Sequence, residues 1–393
     1  MEHQQRIQNL QKKLAQAGVD AYLVTQNVDI FYLTGSMQTG YVLVPVAGEP
    51  VFYVRRSVLR ANEESVVPII ELGSLKTFNG KLKASFPDLF ADGREIAVAA
   101  DFDVLPVQIY QRLKSALPAV KWIDGSAMIR ELRMIKSDYE IGLLKQAAVA
   151  TDLAFQHGIA KLSAGMTELE FISEIELSLR RQGHMGVMRM RGYNQELITG
   201  IVSSGAAAAA PTYFDGPAGG EGLGAASPQG VGVKKIAAGE PILIDIGCTL
   251  NGYVTDQTRT AVIGDLPADL LHAYETAERI LAHAESMLKP GVICEDLYVS
   301  ALAYAKEAGL ENHFMGFGKD QVKFLGHGIG LEVDEFPVLA KGFRYPLEAG
   351  MVLAVEPKFT FPGRGVVGIE NTYVITDSGF ERLTQTPGGL LRI

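Results

Sequence analysis

The chain has 393 residues, and its 36 Lys and Arg against 45 Asp and Glu give a formal net charge of −9. That balance excludes nucleic acid as the main partner, because phosphate binding needs a cationic surface. A composition of 47% hydrophobic and 21% charged residues excludes a disordered chain. The length predicts two or three domains of roughly 100–200 residues each, able to bury a core without disulfide or metal staples. The two cysteines, Cys248 and Cys294, make no disulfide framework and no CxxC motif. The opening Met-Glu-His-Gln-Gln-Arg lacks the apolar stretch of a signal peptide, and no run of about 18 apolar residues predicts a membrane span. The expectation is a soluble, cytoplasmic protein with no membrane partner.

Residues 3–17 carry helical apolar spacing at Ile7, Leu10 and Leu14, and Ala21-Tyr-Leu-Val reads as a short buried strand. Tyr41 to Val46 and Pro50 to Val54 read as a hairpin turning near Gly48. Glu95 to Ala100 reads as a further strand, followed by a helix near 106–116. Together these predict an α/β domain over residues 1–128, with no cluster of His, Cys or carboxylates that can be assigned to chemistry. Residues 129–137 read as a connector. Ser137-Asp-Tyr-Glu140 is a capping box that opens a long helix to about residue 161, and with it a second domain over 138–393.

That second domain reads as duplicated. Gly165 and Gly183 bracket one helical stretch, Gly291 and Gly309 bracket another at the same spacing of 18. Each stretch follows a longer helix, 138–161 or 268–288, and precedes strand-rich sequence. Helix, helix, strands, repeated once, suggests two related halves about a pseudo-dyad. Residues 215–232 are Gly-rich and aperiodic, hence a functional lid or a disordered insertion. They lack the Lys-Ser/Thr of a phosphate loop.

The strongest chemical signal is Pro241 to Thr260, two β-rich runs joined at Asn251-Gly252, the preferred two-residue hairpin turn. With that turn as centre, Asp245 falls opposite Thr258, and Asp256 lies diagonally on the same face. Two carboxylates converging there repel unless a cation or proton sits between them. A second hairpin repeats the theme: a strand from Met351 through Glu356, turn chemistry at Pro362-Gly-Arg-Gly365, and a return strand through Glu370. Glu356 and Glu370 are each seven residues from Gly363, so they fall nearly opposite one another. Between the hairpins His327 stands in Phe-Leu-Gly-His-Gly-Ile-Gly-Leu, where glycines let backbone and ligand approach closely. Four carboxylates and one imidazole suit a pair of divalent ions, with manganese, cobalt, iron and zinc all compatible.

The order Asp245, Asp256, then Gly-His327-Gly-Ile-Gly-Leu-Glu, then Glu356-Pro and Ile-Glu370 resembles the pita-bread dinuclear metallopeptidases. Tyr32-Leu-Thr-Gly35 and Leu132 to Ile141 are similar to the aminopeptidase P and prolidase (Xaa-Pro peptidase) branch of that family. The resemblance implies a creatinase-like N-terminal α/β domain and an α+β pita-bread catalytic domain with internal pseudo-two-fold duplication. It implies that Asp245, Asp256, His327, Glu356 and Glu370 ligate two divalent metal ions, Asp256 and Glu370 bridging them, with manganese or cobalt preferred over iron or zinc. A bridging water would attack the scissile carbonyl, Glu356 would carry its proton to the leaving nitrogen, and Thr258 would support the ligands from behind. A homodimer is also implied.

The departures from the family pattern concern the substrate. Asp334 stands where the family has a second histidine, Thr212 where it has an upstream one, Gly368 where it has an arginine, and Lys358 turns Glu-Pro-Gly into Glu-Pro-Lys. Asp334 joins Glu356 in the expected catalytic set, since a carboxylate there would repel a substrate carboxylate and favour a cationic or neutral group. Thr212, Lys358, Arg191 and His184 are the expected substrate-binding residues, with Arg189 beside them. The function implied is metal-dependent hydrolysis of a peptide or small amide C–N bond, Xaa-Pro dipeptidase- or aminopeptidase-like. The alternatives are a catalytically impaired binding protein of the same fold and a creatinase-like, non-peptidase hydrolase.

Overall fold

The computed structural model describes residues 2–197 and 199–393. The chain divides into two units, Met1–Arg133 and Met134–Ile393. In the first, the helix Glu2–Ala17 buries Leu10 and Leu14 completely, as apolar spacing on one helical face requires. A six-stranded sheet follows, in the order Ile69–Glu71, Val51–Val54, Gly40–Pro45, Ala21–Val24, Ile96–Ala100, Val120–Asp124. The two pairings made by Gly40–Pro45, with Ala21–Val24 and with Val51–Val54, are antiparallel, and the three outer ones are parallel. Gly48, at φ 102°, makes the hairpin turn, a conformation that costs glycine little. Phe78, Leu82 and Leu113 fill one face of this sheet.

The second unit begins at the capping box: Ser137 Oγ accepts the N–H of Glu140, whose carboxylate accepts the N–H of Ser137. The helix it opens, Asp138–Ile159, packs with Glu168–Arg181 against the sheet of Gly200–Ser204, Ile242–Leu250 and Tyr253–Val262, to which Leu391–Arg392 adds an edge. A second helix pair, Ala268–Met287 and Cys294–Glu307, precedes a five-stranded sheet in the order Glu335–Ala340, Phe324–Gly328, Val352–Val355, Asn371–Ile375, Phe380–Arg382. Leu281, Leu297, Leu353 and Tyr373 belong to the core of that half.

The duplication is written in backbone hydrogen bonds. Gly165, Glu168 and Leu169 donate to the carbonyls of Ile236, Lys234 and Gly232. Gly291, Cys294 and Glu295, each 126 residues later, donate to Leu347, Tyr345 and Phe343, each 111 residues later. Gly165 and Gly291 both sit at φ 90°. Carried along the strands, the second offset sets Asp245 against Glu356 and Gly247 against Lys358.

One expectation needs correction. The second hairpin is not a single long ladder. Val352–Val355 pairs with Asn371–Ile375 in the five-stranded sheet, whereas Lys358–Phe361 pairs with Gly365–Gly368 as a separate ribbon. Both stretches keep a register centred on Gly363. The break falls at Glu356-Pro357 and Ile369-Glu370, because Pro357 has no N–H to give the ladder. The freed backbone turns to neighbours: the N–H of Glu356 donates to Leu325, and that of Glu370 to Thr258.

The Gly-rich segment is packed rather than loose. Gly219 donates to Ala208 and Gly230 to Gly219. Thr360 Oγ1 donates to the carbonyl of Pro217 at 2.8 Å, and Ala218 is buried with Ala208, Leu243 and Val366.

Candidate active site

The Asn251-Gly252 turn, with Asn251 at φ 50° and Gly252 at φ 91°, fixes the first hairpin. Asp245 pairs with Thr258 and Gly247 with Asp256. Both aspartates therefore leave one face of the sheet. His327 is supplied by the strand Phe324–Gly328, which lies beside Val352–Val355, and that strand delivers Glu356 at its end. Arg259 bolts the hairpins together, donating through Nη1 to the carbonyls of Thr258 and Glu370, both at 2.7 Å. It is wholly buried, and burial brings its pKa down to about 10. It has no place among the expected site residues, since its partners, four backbone carbonyls and Asn371 Oδ1, are brought together only by the fold.

The five expected metal ligands meet in one cleft of about 580 Å³, counting its open mouth. Asp334, Met188, Phe214, Pro217 and Phe324 also line it. Three of the four carboxylates share one cation. Lys358 Nζ is 2.6 Å from Glu356 Oε2, 3.0 Å from Glu370 Oε2 and 3.2 Å from Asp245 Oδ2, and the residue is 0% exposed. Thr258 Oγ1 donates to the same Glu370 Oε2 at 2.6 Å. Glu370 Oε1 is buried and has no hydrogen-bond partner among the described residues. One donor atom each from Asp256, His327 and Glu370 lie within 4.8 Å of one another.

The imidazole is oriented for that group. His327 Nδ1 donates to the carbonyl of Gly328 at 3.0 Å and lies 3.3 Å from Asp334 Oδ1. With its proton held there, the lone pair of Nε2 turns inward, toward Glu356 Oε1 at 3.6 Å. Asp334 sits at φ 63°, a left-handed conformation that Asp tolerates. This makes it a neighbour of the histidine.

Burial and mutual repulsion set the charges. Burial, then Glu370 and Asp245, push Asp256 well above the ordinary carboxylate range. Burial also raises Asp245, against the pull of Lys358, and raises Glu356 to about 7, again opposed by Lys358. Burial works to raise Glu370, but Lys358, His327 and Thr258 outweigh it, and its pKa falls. His327 is disfavoured as a cation by burial, yet Asp334, Glu356 and Glu370 carry its pKa upward. Lys358 shows the same balance, burial against the charges of Asp245, Glu356 and Glu370, and its pKa rises. The ammonium thus serves three carboxylates directly, and Asp256 is the acid most in need of another cation.

The remaining expected residues disperse. Thr212 Oγ1 accepts the N–H of Phe214 at 3.1 Å and lines an adjoining cavity instead. His184 is 5% exposed and accepts the N–H of Thr249 through Nδ1. Arg191 is half-buried, just after Met190, whose backbone bridges to Val333, while the carbonyl of Arg189 accepts the N–H of Val333. None of Thr212, His184, Arg189 and Arg191 lines the cleft. Sequence reasoning missed the cleft's apolar wall of Met188, Phe214, Pro217 and Phe324. The proline-flanked aromatic in Pro-Thr-Tyr-Phe-Asp-Gly-Pro is the one signal that points to it.

A buried set of carboxylate and imidazole donors at the meeting of two duplicated sheets defines a centre suited to metal-assisted hydrolysis. Comparison with known proteins supplies the family. Residues 142–377 match the metallopeptidase family M24, and residues 6–135 match the creatinase/prolidase N-terminal domain. The chain belongs to the M24 metallopeptidases: a creatinase-type N-terminal domain is followed by a pita-bread catalytic domain. It is 27% identical to the Xaa-Pro dipeptidase of Pyrococcus furiosus over 98% of this chain and 99% of that one. It is 31% identical to the Xaa-Pro dipeptidase of Lactobacillus delbrueckii subsp. lactis, over 73% and 70% of the respective chains. The solved Xaa-Pro dipeptidase from Bacillus anthracis aligns over 100% of both chains at a TM-score of 0.83 and 27% identity. The prolidase from Pyrococcus horikoshii aligns over 98% and 100% at 0.81 and 25%. Metal-dependent peptide hydrolysis is therefore the chemistry of this chain, and its family employs divalent metal ions. Among the described residues, no helix is long and apolar enough to cross a membrane.

Proposed function

We propose that the protein cleaves the peptide bond before proline in short peptides, with Asp256, His327 and Glu370 holding divalent metal. The observation that carries this reading is their convergence within 4.8 Å, with the buried Glu370 Oε1 left free to accept a cation. The Xaa-Pro dipeptidase names of its relatives support the substrate, and the apolar wall of Phe214, Pro217 and Met188 suits a pyrrolidine ring. Metal at this position supplies Lewis-acid polarisation and a water nucleophile at neutral pH. Glu356, which lines the same cleft, would take the water's proton and pass it to the leaving nitrogen. Thr258 holds Glu370 in place. Asp334 opens into the same cleft with its side chain 41% exposed. It disfavours a substrate carboxylate, so blocked or longer peptides are preferred over free dipeptides. On the family resemblance alone, the reading extends to manganese or cobalt as the metal, a homodimer and a cytoplasmic setting.

The test is a panel of Xaa-Pro dipeptides and the corresponding amides, assayed after loading with Mn(II) or Co(II). Cleavage should vanish with chelator, fall by about 10³-fold on Asp256→Asn, and favour the amides. Asp334→Asn should narrow the difference between amide and free acid. Failure to cleave any member would overturn the assignment.

A further inference from the structure

We propose that Lys358 is a built-in cation occupying one of two cation positions in this site, so that the centre consists of one divalent metal ion and one ammonium. The inference rests on the functional reading above and deepens it.

The geometry is that of an occupied cage. The oxygens around Lys358 Nζ come from three carboxylates on three separate strands or strand ends: Asp245 Oδ2, Glu356 Oε2 and Glu370 Oε2, at 3.2, 2.6 and 3.0 Å. Asp245 belongs to one half of the duplicated unit, Glu356 and Glu370 to the other. A divalent ion bound to those same oxygens at about 2.0–2.2 Å would have to stand where the ammonium nitrogen stands. The side chain has nowhere else to place its charge, since Lys358 is 0% exposed, and a lysine withdrawn from its partners would be a buried, uncompensated charge.

The rest of the donor set divides cleanly from this cage. Asp256 is absent from the ion pairs of Lys358, and Glu370 splits its two oxygens, Oε2 toward the ammonium and Oε1 unpartnered. His327 directs Nε2 inward because Nδ1 is engaged by Gly328 and Asp334. What remains is the group of Asp256, His327 and Glu370, one donor atom from each within 4.8 Å of the others, with Glu370 Oε1 unpartnered. Charge is compatible with this count: against four carboxylates, one divalent ion plus the ammonium of Lys358 leaves a net of −1.

The duplication shows that the lysine is particular to one half. Gly247 stands two residues after Asp245, and Lys358 stands two residues after Glu356, its counterpart. A Cβ at Gly247 would come within 2.4 Å of Met188 Sδ and 3.0 Å of the carbonyl of Thr255. A side chain in the first half would therefore have to displace Met188, and the site receives a single lysine.

The experiment is metal counting on the full chain. The protein is stripped with chelator, titrated with Mn(II), and examined by calorimetry, by elemental analysis after desalting, and by electron paramagnetic resonance. The expected result is one ion per chain with an isolated six-line Mn(II) signal, and two ions with an exchange-coupled signal in Lys358→Gly. Two tightly bound ions in the unsubstituted protein would overturn the inference and leave the peptidase reading intact. One ion in both proteins would overturn the role given to Lys358. No bound ion in the unsubstituted protein would overturn the metal reading itself. The unsubstituted protein decides the count even where Lys358→Gly does not fold.

Discussion

The two halves of the catalytic unit use one backbone plan and diverge in what they place at its centre. Each has a helix pair whose second member is tied by three successive backbone bonds to the segment leading into a carboxylate-bearing strand. The matched carboxylates, Asp245 and Glu356, both reach the cleft. Two residues further on, one half has Gly247, enclosed by Met188 and Thr255, and the other has Lys358, enclosed by acids. Duplication thus supplies a symmetric cage of negative charge, and a single side chain decides which part of it is filled from within. The family shows what the scaffold is for, and the asymmetry shows how this member sets its own charge balance.

Lys358→Met breaks the comparison most severely. It keeps a long apolar stem and removes the ammonium, which leaves Asp245, Glu356 and Glu370 facing one another in a buried site. Removing one partner of a buried ion pair costs about 3–5 kcal/mol. In metal-free buffer the urea midpoint should drop correspondingly. Saturating Mn(II) should recover part of the loss, because a ligand that binds only the folded state stabilises it by mass action. A midpoint unchanged without metal would mean that the acids take up protons in place of the ammonium.

Gly247→Ala tests the opposite half. The added methyl must displace Met188, and it meets the backbone oxygen of Thr255 at the limit of contact. Overpacking of this kind costs about 1–3 kcal/mol. The same change strains the hairpin whose two strands carry Asp245 and Asp256, so Mn(II) affinity should weaken together with stability. A neutral effect on both measurements would show that the first half tolerates a side chain there. The lysine's confinement to the second half would then have no steric origin.

Legibility in the sequence follows the same divide. The first hairpin is readable because a two-residue Asn-Gly turn fixes register within a few residues, and Asp245 opposite Thr258 is the pairing observed. The second is readable only as to register. Glu356 and Glu370 do fall on either side of Gly363, but the break at Pro357 hands them to Leu325 and Thr258, residues far away in the chain. Alternation places Lys358 on the same face as Glu356 and ends there. Whether that face meets solvent or acids depends on Asp245, delivered by the other half. Thr212 is expected at the site because it stands where the family has a histidine, His184 and Arg191 because they lie just upstream of the Gly-rich segment. Their side chains follow local hydrogen bonds and packing that spacing does not encode. That segment's packing depends on Ala208, Leu243 and Val366, which only tertiary contact brings to Ala218.

The smallest effect concerns a second asymmetry between the halves, just beyond their second helices. The N–H of His184 donates to Leu179, and that of Leu310, 126 residues later, donates to Ala305. A histidine and a leucine therefore occupy matched positions. His184 is buried, its Nδ1 accepts the N–H of Thr249, and its Nε2 has no partner among the described residues. Burial and the nearby Arg180 lower its pKa below the usual 6.5, against the weaker pull of Glu176. The unfolded chain, titrating near 6.5, then binds more protons than the folded one over the interval just below that pH, so stability rises with pH there. The contribution is fully present above about pH 6.5 and is lost progressively as the solution is acidified toward the folded pKa. His184→Leu copies the other half. It should cost about 1–3 kcal/mol at pH 8, because the N–H of Thr249 loses its acceptor, and it should flatten the decline in urea midpoint between about pH 6.5 and 5. A variant that loses stability at pH 8 but keeps the full acid-side slope would assign that slope to other groups. His184 would then be an acceptor for Thr249 and nothing more.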